Sequence, residues 1–272
     1  MLTDLFATDL QLGAAQALIT VVLALGVILY ARRQNIHMAQ ETGFALLRGI
    51  VQVLAMGSVL FLLLDQPLWA AVPVLLAMQL AGSSIAARRS KAIARVWWVC
   101  FRGIGIGSGL LIVTMTILGV IDWEMGAVIP VGSMIIANAM NTVALSLDRF
   151  QSEIESHVGE IDAALALGAD PRTAVRPHVQ AATEAGLIPQ LNSLRSLGIV
   201  WIPGLMTGMI LAGTDPIYAA LYQFVVLAML FSGSGLSTLI SMFLVRTHVF
   251  SPAMQLILRP GAEVEDAAQA AT

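Results

Sequence analysis

The chain has 272 residues, 58% of them hydrophobic and 11% charged, with a mean hydropathy of +0.84. A soluble globular domain is about half apolar and a quarter charged, so this composition excludes one and points to a chain dissolved in lipid. The net charge of −3 says little because the charges are segregated, and the single cysteine, Cys100, excludes an intrachain disulfide and a cysteine-based metal cage.

A helix needs about twenty apolar residues to cross a ~30 Å hydrocarbon core. Seven stretches supply them: 12–31, 44–64, 68–87, 100–121, 126–147, 187–213 and 217–245. Each reads as a helix, because a lone segment in lipid must satisfy its own backbone hydrogen bonds. The short alternating segments of a β-barrel are lacking. The first stretch has no basic run before it and reads as a retained helix, not a cleaved leader. The second carries Arg48 and Gln52 one turn apart. The third holds Gln79. The fourth is marked by Gly103, Gly105, Gly107 and Gly109, which suit close helix packing. RGIGIGSG is no nucleotide loop, since that motif follows a strand and opens a soluble helix. The fifth carries Asn138 and Asn141 on one face, with Met134 and Met140. The sixth carries Gln190, Asn192 and Arg195, then WIPGLMTG with Pro203, Gly204, Met206 and Gly208, followed by Met209. The seventh carries Gln223 and the small residues Ser232, Gly233, Ser234, Gly235 and Ser237. Residues 259–272 read as a disordered cytoplasmic tail, leaving one permease domain over 1–258.

Orientation follows the basic residues. Arg32, Arg33, Arg88, Arg89, Lys91, Arg95, Arg149, Arg172, Arg176, Arg246 and Arg259 all fall between spans on one side. Asp4, Asp9, Asp65, Asp122, Glu124 and Asp215 fall on the other. The expected fold is an all-α integral membrane protein of about seven transmembrane helices, N-terminus outside and C-terminus cytoplasmic, in the bacterial inner (plasma) membrane.

One insertion, 148–186, is water-compatible. Ile154, Val158, Ile161 and Leu165 recur at helical spacing and predict a helix over 152–167. Gly168 stops it, Asp170 caps the next helix and Pro171 takes its first position. Pro177 ends or kinks that second helix. An interfacial helix would present a basic polar face; this one is acidic and alanine-rich, which suits docking of a soluble partner.

The run from Glu160 through Asp162, Ala163, Ala164, Leu165, Leu167, Gly168 and Ala169 resembles the cytoplasmic EAA-type loop of ABC-transporter membrane subunits. The stretch 187–216, with Arg48-x-x-x-Gln52, Gly132 to Met140, Tyr222-Gln223 and Leu236-Ser-Thr, resembles the Fet-type iron-export permease family. That family includes plant aluminium-tolerance half-transporters. Leu205 and Leu221 depart from its pattern. The resemblance implies a homodimer partnered by two ATPase subunits, which bind ATP and Mg²⁺. This chain has no GxxxxGK[ST] of its own, holds no cofactor and takes no nucleic acid.

Polar residues in spans are costly and face the bundle interior. Arg48, Gln52, Asn138, Asn141, Pro203, Gly204, Met206, Gly208, Met209 and Gln223 are the candidate pathway, and WIPGLMTG is the expected flexing element. Asn138 and Asn141 read equally as interhelical hydrogen-bond glue, and the methionines as packing. No Asp or Glu stands in mid-span, and His37, His157, His178 and His248 show no pairing at ligand spacing, so no metal site is expected. The span arginines suit an anionic or chelated cargo, such as a nucleotide sugar, while iron enters through the resemblance. A secondary carrier without an ATPase is the remaining alternative, and it would need ionisable groups at mid-membrane.

Overall fold

The computed structural model describes residues 9–34, 39–63 and 66–260. Asp4, His37, Asp65 and the tail from residue 261 onward lie outside them. Among the described residues there are ten α-helices and no strand: α1 (Asp9–Arg33), α2 (Ala39–Leu63), α3 (Ala71–Ala87), α4 (Val96–Ile117), α5 (Met125–Ser156), α6 (Val158–Ala166), α7 (Pro171–Ala174), α8 (Arg176–Ser196), α9 (Gly204–Leu211) and α10 (Pro216–Val245). A 3-10 turn, Leu68–Ala70, leads into α3. Six helices are long and apolar enough to cross a membrane: α1, α2, the turn with α3, α4, α5 and α10.

The chain divides into two units, residues 1–66 and 67–272. In the first, α1 packs on α2, and both present apolar side chains such as Leu18, Val27, Val53 and Leu54 outward.

In the second unit α5 is the central post, touching α3, α4, α8 and α10. Its inward face, from Ile135 and Ala139 through Val143, Leu147 and Phe150 to Ile154, is completely buried. Glycine sets how near α4 and α10 lie. A Cβ at Gly107 would overlap the Ser237 backbone, and one at Gly103 would strike the Ser241 hydroxyl. Gly109, on the outer side of α4, meets nothing within 4 Å. The expected packing role therefore holds for Gly103 and Gly107 but not for Gly109. Some buried hydroxyls turn back on their own helices, as Ser83 does to the Gln79 carbonyl at 2.8 Å and Thr116 to Ile112 at 2.8 Å, which satisfies them in lipid. Those of Ser234, Ser237, Thr238 and Ser241 on α10 have no hydrogen-bond partner among the described residues.

The two ends of this unit differ in composition. Trp97, Trp98 and Phe101 cluster at the start of α4, with Trp97 donating to Ser84 Oγ at 3.1 Å. The Arg102 guanidinium lies 5.8 Å from the Trp98 ring, so this arginine snorkels along the aromatic edge. Trp69 and Trp123 stand exposed at the opposite end. Two aromatic girdles bound a membrane-spanning bundle, and the 22-residue α4 between them is about 33 Å long.

Three expectations change. The stretch 187–213 is not one span: its first part belongs to α8, the chain breaks over Leu197–Pro203, and α9 follows. Gly198, at φ +72°, and Pro203 make the break, where the Gly198 amide donates to the Trp201 carbonyl at 3.1 Å. The helix predicted over 152–167 is two pieces. Residues through Ser156 continue α5, and the chain turns at His157 (φ −120°, ψ 24°) before α6. Pro177 does not end the second helix; it occupies the first turn of α8, where its missing N–H costs nothing.

Candidate functional site

The corner between α6 and α7 is built by local chemistry. The Gly168 amide donates to the Leu165 carbonyl at 2.9 Å and the Ala169 amide to Ala164 at 3.0 Å, with Gly168 at φ +89°. These two bonds are the Schellman closure, which needs a residue able to sit left-handed. Two residues on, the Asp170 carboxylate accepts from the Arg172 amide at 3.0 Å and Pro171 begins α7. Both helix ends are thus capped with nothing between them but Ala169.

The corner is anchored at its root and bare at its tip. Ile154, Ile161 and Val175 are buried, whereas Leu167 is 89% exposed. Glu160 is exposed, but Asp162 accepts from Arg259 Nη2 at 2.9 Å. That pair joins the elbow to the segment beyond α10, where Val249, Leu256 and Leu258 are buried and the Ile257 amide donates to the Val249 carbonyl at 2.9 Å. Ordered packing therefore continues through Arg259, the first residue of the expected tail.

The elbow's two stems are the end of α5 and the start of α8, which run antiparallel. Gly186 fits against Ser146 and the Thr142 carbonyl. Further along, Gln190 Nε2 donates to Asn138 Oδ1 at 2.7 Å, while Asn138 Nδ2 donates to the Met134 carbonyl at 2.8 Å. Asn138 thus joins α5 to α8, as the hydrogen-bond reading supposed. At the elbow end, the His157 and His178 rings lie with centroids 4.8 Å apart. The expectation that no two histidines pair at ligand spacing does not hold. Glu153 Oε2 sits 3.6 Å from Nδ1 of each, and Arg149 pairs with Glu153 Oε1.

The remaining pathway candidates are divided between the two units. In the first unit, Gln52, with its amide oxygen turned toward Arg48, accepts from Arg48 Nε and Nη2 at 3.2 Å each. In the second, Asn141 and Met140 line a 220 Å³ groove with Ile85, Arg89, Leu145 and Asp148 at the basic end. Gln223 is buried on α10, its Oε1 without a hydrogen-bond partner. Pro203 caps α9, Gly204 is its first residue, and Met206, Gly208 and Met209 lie within it. α9 packs chiefly on α10. The bend lies at Leu197–Pro203, so WIPGLMTG contains the end of the break and an unbroken helix after it.

A helical bundle with aromatic girdles at both ends and a capped polar corner projecting from its basic end defines an all-α, multi-pass membrane protein. Residues 14–250 match the family described as "Uncharacterised protein family (UPF0014)", and the chain belongs to that family. It is 32% identical to the "Probable iron export permease protein FetB" of Escherichia coli (strain K12), over 90% of this chain and 93% of that protein. Identity to the "UPF0014 membrane protein YjkA" of Bacillus subtilis (strain 168) is 34%, over 78% of this chain and 85% of the relative. The Arabidopsis thaliana "Protein ALUMINUM SENSITIVE 3" is 29% identical over 89% and 88%. These matches bear out the resemblance to the Fet-type permeases and the plant aluminium-tolerance proteins. No solved structure matches the chain.

Proposed function

We propose that this chain is the membrane-spanning permease subunit of an ATP-driven exporter in the bacterial inner membrane. It works as a homodimer with a separate ATPase, which docks on the α6–α7 corner. The observation that carries this reading is the double-capped elbow, buried at Ile161 and bare at Leu167. A corner with both helix ends closed transmits a displacement, where a loose loop would absorb it. An 89%-exposed leucine at its tip offers a partner an anchor worth ~1.5–3 kcal/mol on burial. Glu160, Ala163, Ala164, Leu165, Leu167, Gly168 and Ala169 form the docking face, and Asp162 braces it through Arg259. ATP and Mg²⁺ belong to the partner.

The cargo is iron or a metal chelate, by the likeness to the E. coli permease whose name specifies iron export. A second reading has a specific observation behind it: Arg48, braced by Gln52 on α2, is an arginine set within an apolar helix. Such a group repels a bare cation and favours an anionic organic cargo.

Tagged full-length chain extracted from its native membrane should retain a P-loop ATPase, and Leu167→Asp should lose it while eluting as a folded species. Extraction of the parent chain with no such ATPase, under conditions that keep it folded, refutes the reading. ATP-dependent flux in vesicles, with Fe²⁺ or a nucleotide sugar as cargo, then separates the two cargo classes.

A further inference from the structure

Glu153, His157 and His178 form, among the described residues, a group whose ligating atoms all lie within 4.8 Å of one another. We propose that these three side chains bind a divalent transition-metal ion of the Zn²⁺, Fe²⁺ and Co²⁺ class, and that the ion clamps the two stems of the elbow together. The placement makes the case. His157 is the residue immediately before α6, and His178 follows Pro177 in the first turn of α8. The whole elbow, 158–177, is therefore the loop between two metal ligands, and Glu153 stands one turn before His157 on α5.

The chemistry selects the ion. Two imidazoles and one carboxylate suit borderline divalent metals, whereas Mg²⁺ and Ca²⁺ prefer an all-oxygen shell and Cu⁺ prefers sulfur. Around a tetrahedral ion with bonds of ~2.0–2.1 Å, ligand atoms stand ~3.3 Å apart. Glu153 Oε2 is already 3.6 Å from His178 Nδ1, and one ligating atom from each of the three side chains lies within 4.8 Å of the others, so small side-chain rotations close the set. His157 Nδ1 also lies 2.8 Å from the Glu153 carbonyl. In the neutral ring it donates there, which leaves Nε2 bare for the metal, the usual arrangement of a ligating histidine. Glu153 and His178 side chains are 13% and 11% exposed, which shelters the site, while His157 at 37% leaves a side open for the ion to enter. Arg149 holds the other Glu153 oxygen and opposes a cation there. Its side chain is 53% exposed and free to swing into water.

Metal binding and its effect on the elbow require only this chain. That the clamp tunes ATPase coupling rests on the proposed function. The test uses the full-length chain purified in detergent, titrated with Co²⁺ followed by its visible absorption, with Zn²⁺ as competitor. One equivalent should bind. His157→Ala and His178→Ala should each weaken it at least tenfold, Glu153→Gln should weaken it, and Arg149→Ala should tighten it. Elution profile and unfolding temperature without metal confirm that each variant is folded; His178→Gln replaces any that is not. Zn²⁺ should slow amide exchange across 158–177 in the parent chain and leave it unchanged in the His178 variant. An absence of binding in the parent chain, or binding unchanged in both histidine variants, overturns the site. Binding without slowed exchange overturns the clamp. None of these outcomes depends on an ATPase, so a missing partner and a missing metal site are told apart.

Discussion

Gly107→Ala tests the packing of the bundle most directly. On an isolated helix the change would help, since glycine is ~1 kcal/mol less favourable than alanine in a helix interior. In this structure the added methyl meets the backbone nitrogen and Cα of Ser237 on α10 as well as its hydroxyl. Backbone cannot rotate aside, so α4 and α10 must part along their whole shared seam. Overpacking of this kind costs ~1–3 kcal/mol, and separating the seam also loosens Gly103 against Ser241. A cost near the top of that range exceeds the helix gain and leaves a net loss of about 1–2 kcal/mol. For a domain of this size that lowers the unfolding temperature by about 2–8 °C. Gly109→Ala is the internal control: two residues along the same helix, its Cβ meets nothing, so only the favourable helix term remains. The assay is thermal unfolding of the detergent-purified full chain, read by loss of the monodisperse elution peak. The two variants should shift in opposite directions. Equal shifts, or a Gly107→Ala protein as stable as the parent, would refute the α4–α10 seam.

Gly168→Ala should cost the elbow about 1 kcal/mol although the space around it is open, because the strain lies in its backbone at φ +89°; faster amide exchange over α6 and slower ATPase capture are the expected readouts. Gln190→Ala should weaken the α5–α8 pair by ~0.6–1.7 kcal/mol, the range for hydrogen bonds between helices in lipid, visible as a lower unfolding temperature. Asp162→Asn should leave stability within ~1 kcal/mol, since its pair with Arg259 is largely exposed, and should loosen the elbow as read by faster amide exchange over α6.

Much of this was legible from residue order because its causes are local. Length and apolarity alone mark the helices that cross lipid. Gly168, Asp170 and Pro171 announce the corner because each acts on the backbone within a few residues of itself. The break at Leu197–Pro203 was legible in part: Pro203 in WIPGLMTG marks its end, while hydropathy pools the end of α8 with α9 and hides its start near Gly198. The continuation of α5 past the bilayer was hidden by a change of composition without a change of conformation. Contacts such as Asn138 with Gln190, Asp162 with Arg259, and His157 with His178 join residues far apart in sequence. The first and third become visible only once α5 and α8 are known to run antiparallel, and the second only once the segment after α10 is known to return to α6. The symmetrical position of the two histidines about the elbow was the available signal.

The unbroken length of α5 has a mechanical consequence. Thirty-two residues at 1.5 Å each make a rod of about 48 Å, against a hydrocarbon layer of ~30 Å. Beyond Pro130, in its second turn, it has no joint until His157, so it acts as a lever whose outer arm projects into water. A tilt of about 10° at one end swings the other by roughly 8 Å over that length, enough to slide a helix past its neighbour by more than one full turn. On the proposed function, small rotations among α3, α4 and α10 would in this way be geared up before they arrive at the corner.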